Sequence, residues 1–455
     1  MPRVLLIRPL CEGEEPELAE PLGIERLAGY LLAHGVEDVA LFDRRLYQRE
    51  KRLGLTGHTF WGDVREWCAV GAPDVVGLSI MTAADVPDAL RIISRARSLW
   101  PRARLEAGGL YVTTAPDEAA RRLPSVVTLM GGEGEEAFLR FVMGPSAAAS
   151  GDLSPDDWAM AYRPFVDRYA ALGCAVNMQT SRGCPGRCTF CATPQLPEHL
   201  RQWRPRSLRL VVDEMEHEAA RLEVAGQLPV FNFVDDDFGP LERIEALVDE
   251  LENRQLRAAF ALEMRLASLI GQPRLTQRLR RLHEAGLARV FVGVESLNPQ
   301  TLRQWRKPYD VTALPEVLGA FSEAGVSVRP GYILWHKDQT VEGARDEVEK
   351  LWRLGIYSHR AALSRLIVFP GCALAEEGPT IEGYQRMAEE AESFYQHFLD
   401  ASAGLANEWV AAAMIEPRVA AEALLTGDDT QLIEVTNALA AVNARSHELF
   451  GQVTP

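Results

Sequence analysis

The chain has 455 residues, which is long enough for two or three domains with buried cores. Hydrophobic residues make up 47% of it and charged residues 25%, as is typical of soluble globular proteins. The 64 acidic residues outnumber the 48 basic ones, and the net charge of −16 disfavours a nucleic-acid partner and would attract a cationic substrate.

The amino terminus carries only a short apolar run, residues 4–7, before the acidic residues Glu12, Glu14 and Glu15. This run is too short for a membrane-spanning helix or the core of a secretion signal. Seven cysteines, three of them in one run, favour a reducing compartment over a disulfide framework. We therefore expect a cytoplasmic protein without a membrane partner.

Strands and helices alternate through residues 1–145. The pattern predicts strands at 4–7, 39–42, 74–80, 104–107 and 126–130. It predicts helices at 21–32, 83–99 and 116–123. This alternation indicates an α/β domain, in which a parallel sheet is doubly wound with helices on both faces.

A linker with Pro and Gly follows at residues 146–170, and a second series of strands and helices occupies residues 171–375. Its predicted strands are 175–179, 230–234, 258–262, 289–294, 326–334 and 361–369. Its helices include 241–256, 273–284 and 341–354. Residues 376–455 read as a C-terminal helical region without a recognisable motif.

Three cysteines, Cys184, Cys188 and Cys191, follow the first strand of the second series. A cubane cluster held by protein alone needs four thiolates, so a run of three implies an iron with an open position. The alternative is a structural zinc site with His199 as fourth ligand, as in an interaction module. The spacing and the flanking glycines favour the cluster. The remaining cysteines are scattered and predict no second cluster: Cys11, Cys68, Cys174 and Cys372.

The three-cysteine run resembles the radical S-adenosylmethionine (radical SAM) superfamily. The resemblance implies that Cys184, Cys188 and Cys191 hold a [4Fe–4S] cluster and that S-adenosylmethionine (SAM) chelates the open iron. Reductive cleavage of SAM would then release a 5′-deoxyadenosyl radical. It also implies a partial (β/α)6 barrel over residues 171–375 and an electron donor such as flavodoxin as partner.

The first 145 residues resemble the cobalamin-binding, Rossmann-like domain at the front of many radical SAM enzymes. Four phrases carry this resemblance: Pro21-Leu22-Gly23-Ile24, Gly77-Leu78-Ser79, Ala107-Gly108-Gly109 and Gly131-Gly132-Glu133-Gly134-Glu135-Glu136. Cobalamin itself is not favoured at this point, because a doubly wound sheet offers a crevice at its strand ends whatever it holds.

Several residues at the predicted strand ends are candidate SAM ligands by this resemblance. Asp235 or Asp236 would bind the amino group, whereas Asp237 is expected to cap the next helix. Arg265 matches a carboxylate, since its guanidinium can bind both oxygens. The resemblance also places Gly293, Glu295 and Phe190 at the adenosine.

The stretch from Tyr332 to Thr340 is the most individual part of the second series. Its His336 and Lys337, together with Glu263, could form a set that moves protons. The alternative is a solvated loop before a helix that starts at Asp338 or Thr340.

Two radical reactions follow from these features. The chain resembles, in length and in its short C-terminal part, the radical SAM diol dehydratase of the apramycin pathway. That resemblance implies dehydration of an aminosugar such as paromamine in aminoglycoside biosynthesis, with a separate NADPH-dependent reductase as partner. The alternative is a cobalamin-dependent methyl transfer to a natural-product intermediate.

Overall fold

The computed structural model describes residues 1–11, 18–55, 57–145, 153–307, 309–369, 372–376, 380–381 and 384–454. Glu12, Glu14 and Glu15, and the first part of the predicted linker, lie outside these ranges. The chain forms two compact units, Met1–Cys174 and Ala175–Pro455. The predicted fold class is confirmed, because each unit is built on a parallel sheet with helices packed against it.

The first unit contains five strands and eight helices within its described residues. The strands are β1 Arg3–Arg8, β2 Asp38–Asp43, β3 Val75–Ser79, β4 Arg104–Gly108 and β5 Val127–Leu129. The helices are α1 Leu22–Ala33, α2 Arg44–Arg52, α3 Phe60–Trp67, α4 Val86–Leu99, α5 Leu110–Thr114, α6 Pro116–Arg122, α7 Glu135–Met143 and α8 Val166–Ala171. The parallel strands are ordered β2-β1-β3-β4-β5.

Strand β1 shows why this sheet is buried on both faces. Leu5 and Ile7 pack into one apolar cluster, and Val4 and Leu6 pack into the other. All four side chains are fully buried, as expected for a parallel strand covered by helices on both sides. The connection after β1 leads to β2 on one side, and the connection after β3 leads to β4 on the other side. A crevice therefore opens between the carboxyl ends of β1 and β3.

Helix α8 and the segment before it are folded onto the first unit. The Tyr169 hydroxyl donates to the Asp43 carboxylate at the end of β2, and Arg168 pairs with Glu50. Trp158 is 2% exposed. The later part of the predicted linker therefore has its own buried contacts.

The second unit begins with short strands around the cysteine run and continues as a regular series. Its strands are β6 Val176–Met178, β7 Ser181–Arg182, β8 Arg204–Pro205, β9 Val230–Phe233, β10 Ala259–Arg265, β11 Leu287–Glu295, β12 Ser327–Tyr332, β13 Thr380–Ile381 and β14 Tyr384–Gln385. The main sheet is parallel with the order β12-β11-β10-β9-β6. Consecutive strands are neighbours, so their carboxyl ends form one continuous rim.

Eleven helices accompany these strands within the described residues. They are α9 Glu198–Arg201, α10 Leu208–Val224, α11 Leu241–Asn253, α12 Leu275–Glu284, α13 Pro299–Gln304, α14 Leu314–Ala324, α15 Val341–Arg353, α16 His359–Leu363, α17 Glu389–Ala401, α18 Ala403–Thr426 and α19 Thr430–Gln452. Thr340 caps α15 by accepting a hydrogen bond from the Gly343 amide at 3.0 Å. The last three helices form the predicted C-terminal helical region.

The predicted strand at 361–369 is replaced by helix α16. Ser358 caps this helix, accepting from the Ala361 amide at 3.1 Å, and Ala361 and Ala362 are buried. Only a single parallel bridge, between Trp335 and Arg365, continues the sheet at this position. Among the helices of the described ranges, none combines the length and apolar character needed to cross a bilayer.

Candidate functional site

The cysteine run follows β7 as a loop that the backbone holds in place. The Cys184 amide donates to the Arg201 carbonyl at 3.1 Å. Gly183 has a φ of +78°, and a Cβ there would lie 2.3 Å from the Gln202 carbonyl oxygen. Only glycine allows this approach, so the loop enters the site through a backbone contact that a side chain would block.

The three thiols are half-buried and spread along the loop. The Cys184 and Cys188 sulfurs flank Gly186, at 3.2 and 3.9 Å from a Cβ built there. The Cys191 amide donates to the Cys188 carbonyl at 3.3 Å. Burial raises the pKa of the Cys184 thiol to about 11 and raises that of Cys188, while Lys307 lowers the pKa of Cys188.

The three thiols fit a cluster, because a cubane takes each thiolate on a different iron. In the described part of the chain, no three or more His, Cys, Asp or Glu side chains converge so as to hold a single ion. Arg265 lowers the pKa of the Cys184 thiol and Lys307 lowers that of Cys188, which partly offsets the larger rise caused by burial.

Asp235 fixes the strand that leads into the cysteine loop. It is 1% exposed and accepts from the Thr180 amide at 2.8 Å, from the Thr180 hydroxyl at 3.1 Å and from the Ser181 amide and hydroxyl. Desolvation raises its pKa to about 6, although these hydrogen bonds favour the carboxylate. Its oxygens are therefore engaged with backbone and hydroxyl groups of the loop entrance.

The neighbouring aspartates differ in their surroundings. Asp236 is exposed, and its pKa is raised by desolvation and by the Asp237 carboxylate, although a hydrogen bond from the Gly183 backbone opposes this. Asp237 is 1% exposed and accepts from Arg265 Nε at 2.7 Å. The prediction that Asp237 caps the next helix is wrong, because α11 has no side-chain cap. It orients Arg265 instead.

Glu295 ends β11 with an unusual backbone. Its φ is +64°, and the pairing with β12 shifts register between Gly293 and Glu295. Its carboxylate contacts Lys307 Nζ at 3.0 Å, and both side chains are largely buried. A Cβ at Gly293 would lie 2.7 Å from the Glu295 carboxylate, so a larger residue there would displace the side chains of this ion pair. A bulge of this kind re-aims a side chain at the end of a strand.

A cavity of about 230 Å³ brings several of these groups together. Its wall includes Cys188 of the loop, Arg265 at the end of β10, and Gly293 of β11. Lys307 and Tyr309 also line it. Lys307 and Tyr309 were not predicted from the sequence, because no local motif marks them.

Phe190 and Glu263 lie beside this region in different ways. Phe190 packs edge-to-face on Trp305, with ring centroids 5.5 Å apart, and Lys307 Nζ lies 5.9 Å from its ring centroid. Glu263 is partly buried, and desolvation raises its pKa to about 7, with Asp236 adding to the shift and Arg329 opposing it. A carboxyl group that titrates near neutrality suits proton exchange.

His336 and Lys337 do not line the cavity. His336 is 5% exposed and packs edge-to-face on Trp305, with ring centroids 5.1 Å apart, and burial lowers its pKa. Tyr332 is also turned inward, donating to the buried Glu347 carboxylate. This stretch therefore packs against the core, and the proposed proton-transfer role of His336 and Lys337 stays a prediction.

Family comparisons agree with both units. Residues 178–351 match the Radical SAM superfamily, and residues 16–142 match the B12 binding domain. The chain is a radical SAM protein with an amino-terminal B12-binding domain. The first segment contains the glycine phrases at the ends of β3 and β4, and the second contains the whole cysteine run.

Curated relatives of this radical SAM protein are remote in sequence. It is 23% identical over 382 residues to the "Uncharacterized methyltransferase PH0819" of Pyrococcus horikoshii, covering 76% of each chain. It is 24% identical over 377 residues to the anaerobic magnesium-protoporphyrin IX monomethyl ester cyclase of Rubrivivax gelatinosus, covering 75% of this chain and 64% of the cyclase. Bacteriochlorophyllide d C-12(1)-methyltransferase of Chlorobaculum tepidum is 28% identical over 256 residues, which is about half of each protein.

Solved structures share its fold. The cobalamin-dependent radical SAM enzyme OxsB with aqua-cobalamin bound superposes with a TM-score of 0.76 at 16% identity, covering 99% of this chain and 72% of OxsB. The radical SAM methyltransferase TsrM of Kitasatospora setae, with cobalamin and a [4Fe–4S] cluster bound, gives a TM-score of 0.61 at 17% identity and covers 86% and 80%. At these identities the likeness establishes the fold and not the reaction.

The expectation that cobalamin is not favoured is wrong. The B12 binding domain match and the cobalamin-bound neighbours both point to this cofactor. The ends of β3 and β4 are closely packed, because Gly109 has a φ of +102° and a Cβ there would lie 2.5 Å from the Ile80 carbonyl oxygen. The carboxyl ends of these strands are where ligands of doubly wound sheets bind, so glycine at this position keeps that edge in shape.

Proposed function

We propose that this radical SAM protein is a cobalamin-dependent methyltransferase acting on a small-molecule acceptor. The observation that carries the proposal is the joint presence of a cysteine-lined cavity in the second unit and a B12-binding domain in the first. When bound, the [4Fe–4S] cluster supplies the electron that cleaves SAM and the corrinoid supplies the methyl group. The proposal requires a one-electron donor such as flavodoxin.

The chain's own residues have distinct tasks in this proposal. Cys184, Cys188 and Cys191 hold the cluster, and Asp235 keeps the loop entrance in position through its hydrogen bonds to Thr180 and Ser181. Arg265 is turned by Asp237 toward the cavity, where its guanidinium can bind the SAM carboxylate.

Other parts of the cavity wall belong to β11 and the loop after α13. Gly293 leaves its backbone uncovered there, and the ion pair of Glu295 and Lys307 lies beside it. This pair supplies a fixed positive and a fixed negative group in a water-poor setting, where both act more strongly than in solution. Glu263 is proposed as the group that exchanges a proton.

Methyl transfer has more support than aminosugar dehydration. The dehydratase hypothesis was based on likeness in length and in the C-terminal part, with His336, Lys337 and Glu263 as its acid–base set, and His336 and Lys337 are not among the residues that line the cavity. The curated relatives described above include two methyltransferases and a cyclase, so they give no support to a dehydratase. Their identities are too low to choose the acceptor, and the proposal extends only to the reaction type.

The test uses the full chain, purified without oxygen and reconstituted with iron, sulfide and hydroxocobalamin. It is then incubated with a strong reductant and with SAM carrying a trideuterated methyl group. Loading the corrinoid requires no acceptor, so we expect S-adenosylhomocysteine and deuterium label in the corrinoid fraction. Mass spectrometry measures both products, and 5′-deoxyadenosine is measured in the same samples.

Two controls make the result specific. Omission of cobalamin should remove S-adenosylhomocysteine while leaving some 5′-deoxyadenosine, because only the first product depends on the corrinoid. The Cys188→Ala variant should lose 5′-deoxyadenosine. If the intact protein produced 5′-deoxyadenosine but neither S-adenosylhomocysteine nor labelled corrinoid, methyl transfer would be excluded.

A further inference from the structure

Glu106 is an unusual residue in the sheet of the first unit. It lies on β4 between Gly77 of β3 and Thr128 of β5, and it is only 4% exposed. A Cβ added at Gly77 would meet Leu6 and Phe138, which belong to the apolar layer under α1 and α7. Paired residues of parallel strands point to the same face, so the Glu106 side chain enters this apolar layer.

The Glu106 carboxyl group has no polar partner among the residues that the structure describes. Desolvation is the only influence on its pKa, which rises to about 8. A buried polar group without a partner costs free energy that an apolar side chain would avoid. The fold alone therefore gives no reason for a glutamate at this position.

Three other buried acids near this edge of the sheet are paired. Asp43 binds Arg8 and Tyr169, Asp85 binds Arg45, and Asp88 binds Arg44. These ion pairs account for the burial of their carboxylates. Glu106 stands apart from them, since its surroundings favour the neutral acid.

The position of the carboxyl group indicates what it faces. Its Oε1 lies 3.1 Å from a Cβ built at Gly108, and the Met130 carbonyl oxygen lies at the same distance from that point. The group therefore reaches the last residue of β4, next to Gly109 and the glycine-rich segment after β5. Ligands of doubly wound sheets bind outside the carboxyl ends of the strands. The B12 binding domain match includes this whole region.

We propose that Glu106 binds the corrinoid: its carboxyl group donates a hydrogen bond to an uncharged acceptor of the cofactor. The acceptor is either a side-chain amide carbonyl of the macrocycle or a nitrogen of the nucleotide base. This inference rests on the cobalamin binding in the proposed function. A neutral acid suits a neutral acceptor, because the bond forms without burying a charge.

The experiment measures binding and needs neither cluster nor turnover. Equilibrium dialysis gives the dissociation constant of hydroxocobalamin for the full chain, for Glu106→Gln and for the apolar variants Glu106→Leu and Glu106→Met. Gln keeps a donor of similar size, so its affinity should stay within about twofold of the parent's. The apolar variants should bind about tenfold more weakly, as expected for one lost hydrogen bond.

Two further measurements separate binding from folding and locate the acceptor. Without cobalamin, both apolar variants should unfold at a temperature equal to or above the parent's, since they remove a buried carboxyl group. Cobinamide, which lacks the nucleotide, should distinguish the same variants from the parent only if the acceptor is a macrocycle amide. Glu66→Gln, a change at an exposed acid of the same unit, should bind like the parent.

The outcomes are distinct. Parent-like affinity of Glu106→Leu and Glu106→Met for hydroxocobalamin would overturn the role of Glu106 and leave the proposed function intact. Failure of the parent itself to bind hydroxocobalamin would overturn both. If the Leu variant did not fold, the Met and Gln variants would decide. Weaker binding by Glu106→Met than by Glu106→Gln would support the proposal, and parent-like binding by Glu106→Met would overturn it.

Discussion

Each main sheet has five parallel strands, but the residues at the carboxyl ends of the strands differ between the two sheets. In the first unit β1 and β3 are neighbours, and the edge presents glycine backbone at Gly108 and Gly109. In the second unit each strand lies beside the next, and the edge carries Arg265 and Glu295. The first edge lacks side chains at the end of β4, although Arg8 and Asp43 pair at the ends of β1 and β2, whereas the second edge carries charged side chains at the ends of β10 and β11. Architecture alone therefore decides where a ligand binds, whereas the edge residues decide what chemistry it meets.

The largest expected effect is the loss of SAM cleavage in the second unit without any change in cobalamin binding by the first. Replacing Cys184, Cys188 or Cys191 with alanine should reduce 5′-deoxyadenosine formation to background, because the cluster loses a ligand. Binding of hydroxocobalamin should be unchanged in all three variants. Cys68→Ala, in the first unit, serves as the control and should keep full activity. Activity retained by any variant of the run would show that the loop does not hold the cluster.

Two matched glycine substitutions should each abolish the binding of one cofactor and leave the other bound. Gly183→Ala places a Cβ 2.3 Å from the Gln202 carbonyl oxygen and should abolish iron binding without affecting cobalamin. Gly109→Ala places a Cβ 2.5 Å from the Ile80 carbonyl oxygen and should abolish cobalamin binding without affecting iron. Iron analysis and equilibrium dialysis measure the two effects.

The control for this pair is Gly226→Ala. Gly226 also has a positive φ, of +69°, but a Cβ there meets no atom within 4 Å. The Gly226→Ala substitution should lower the free energy of unfolding by only about 1 kcal/mol, through backbone strain. Both cofactors should stay bound. If Gly183→Ala and Gly109→Ala behaved like this control, close backbone approach would not matter at either edge.

The helical part of the second unit should show its own dependence on pH. His359 is 2% exposed, and burial lowers its pKa to about 4. Below pH 6.5 the unfolded chain binds a proton that the folded chain does not, so stability falls as pH drops from 6.5 toward 4. At pH 5 the loss attributable to this residue is about 2 kcal/mol.

His359→Gln should remove this part of the acid sensitivity. The measurement is the difference in the free energy of unfolding between pH 7.5 and pH 5, compared between variant and parent. His397→Gln, at an exposed position of α17, should leave the difference unchanged. Equal pH dependence in parent and His359→Gln would contradict a buried neutral imidazole.

The smallest effect concerns the ion pair at the rim of the second unit. Arg265→Lys should weaken SAM binding about tenfold, because an ammonium cannot bind both carboxylate oxygens. Asp237→Asn should weaken it less, since the amide oxygen can still accept the hydrogen bond that Arg265 Nε donates at 2.7 Å and only the charge of the partner is lost. Isothermal titration of the reconstituted protein with SAM measures both. Full affinity in Arg265→Lys would remove Arg265 from the SAM site.

The sequence predicted both parallel sheets because apolar strands such as residues 4–7 alternate with amphipathic helices along the chain. It misassigned residues 361–369, where the apolar run of Ala361, Ala362 and Leu363 fits a strand as well as a helix, and the Ser358 cap decided the outcome. The glycine phrases predicted the B12-binding domain, whereas likeness in chain length favoured a dehydratase. A run of glycines indicates where the backbone packs closely, whereas chain length carries no information about a binding site.

The candidate site was predictable only where one segment carries it. The cysteine run needs no tertiary information, since its ligands stand within eight residues. Lys307 and Asp237 could not be assigned, because their roles depend on contacts with Glu295 and Arg265, which come from other strands. His336 shows what residue type alone leaves open: the imidazole suggested proton transfer, and its packing against Trp305 is a tertiary contact that no local pattern predicts.

The bonds from Asp235 to Thr180 and Ser181 bear on how the protein survives exposure to air. They are made entirely by the polypeptide, so the entrance to the cysteine loop is shaped before any iron arrives. Loss of the inorganic core to oxygen would remove none of these bonds. We therefore expect a new cluster to be assembled in the existing chain from iron, sulfide and a reductant for the thiols.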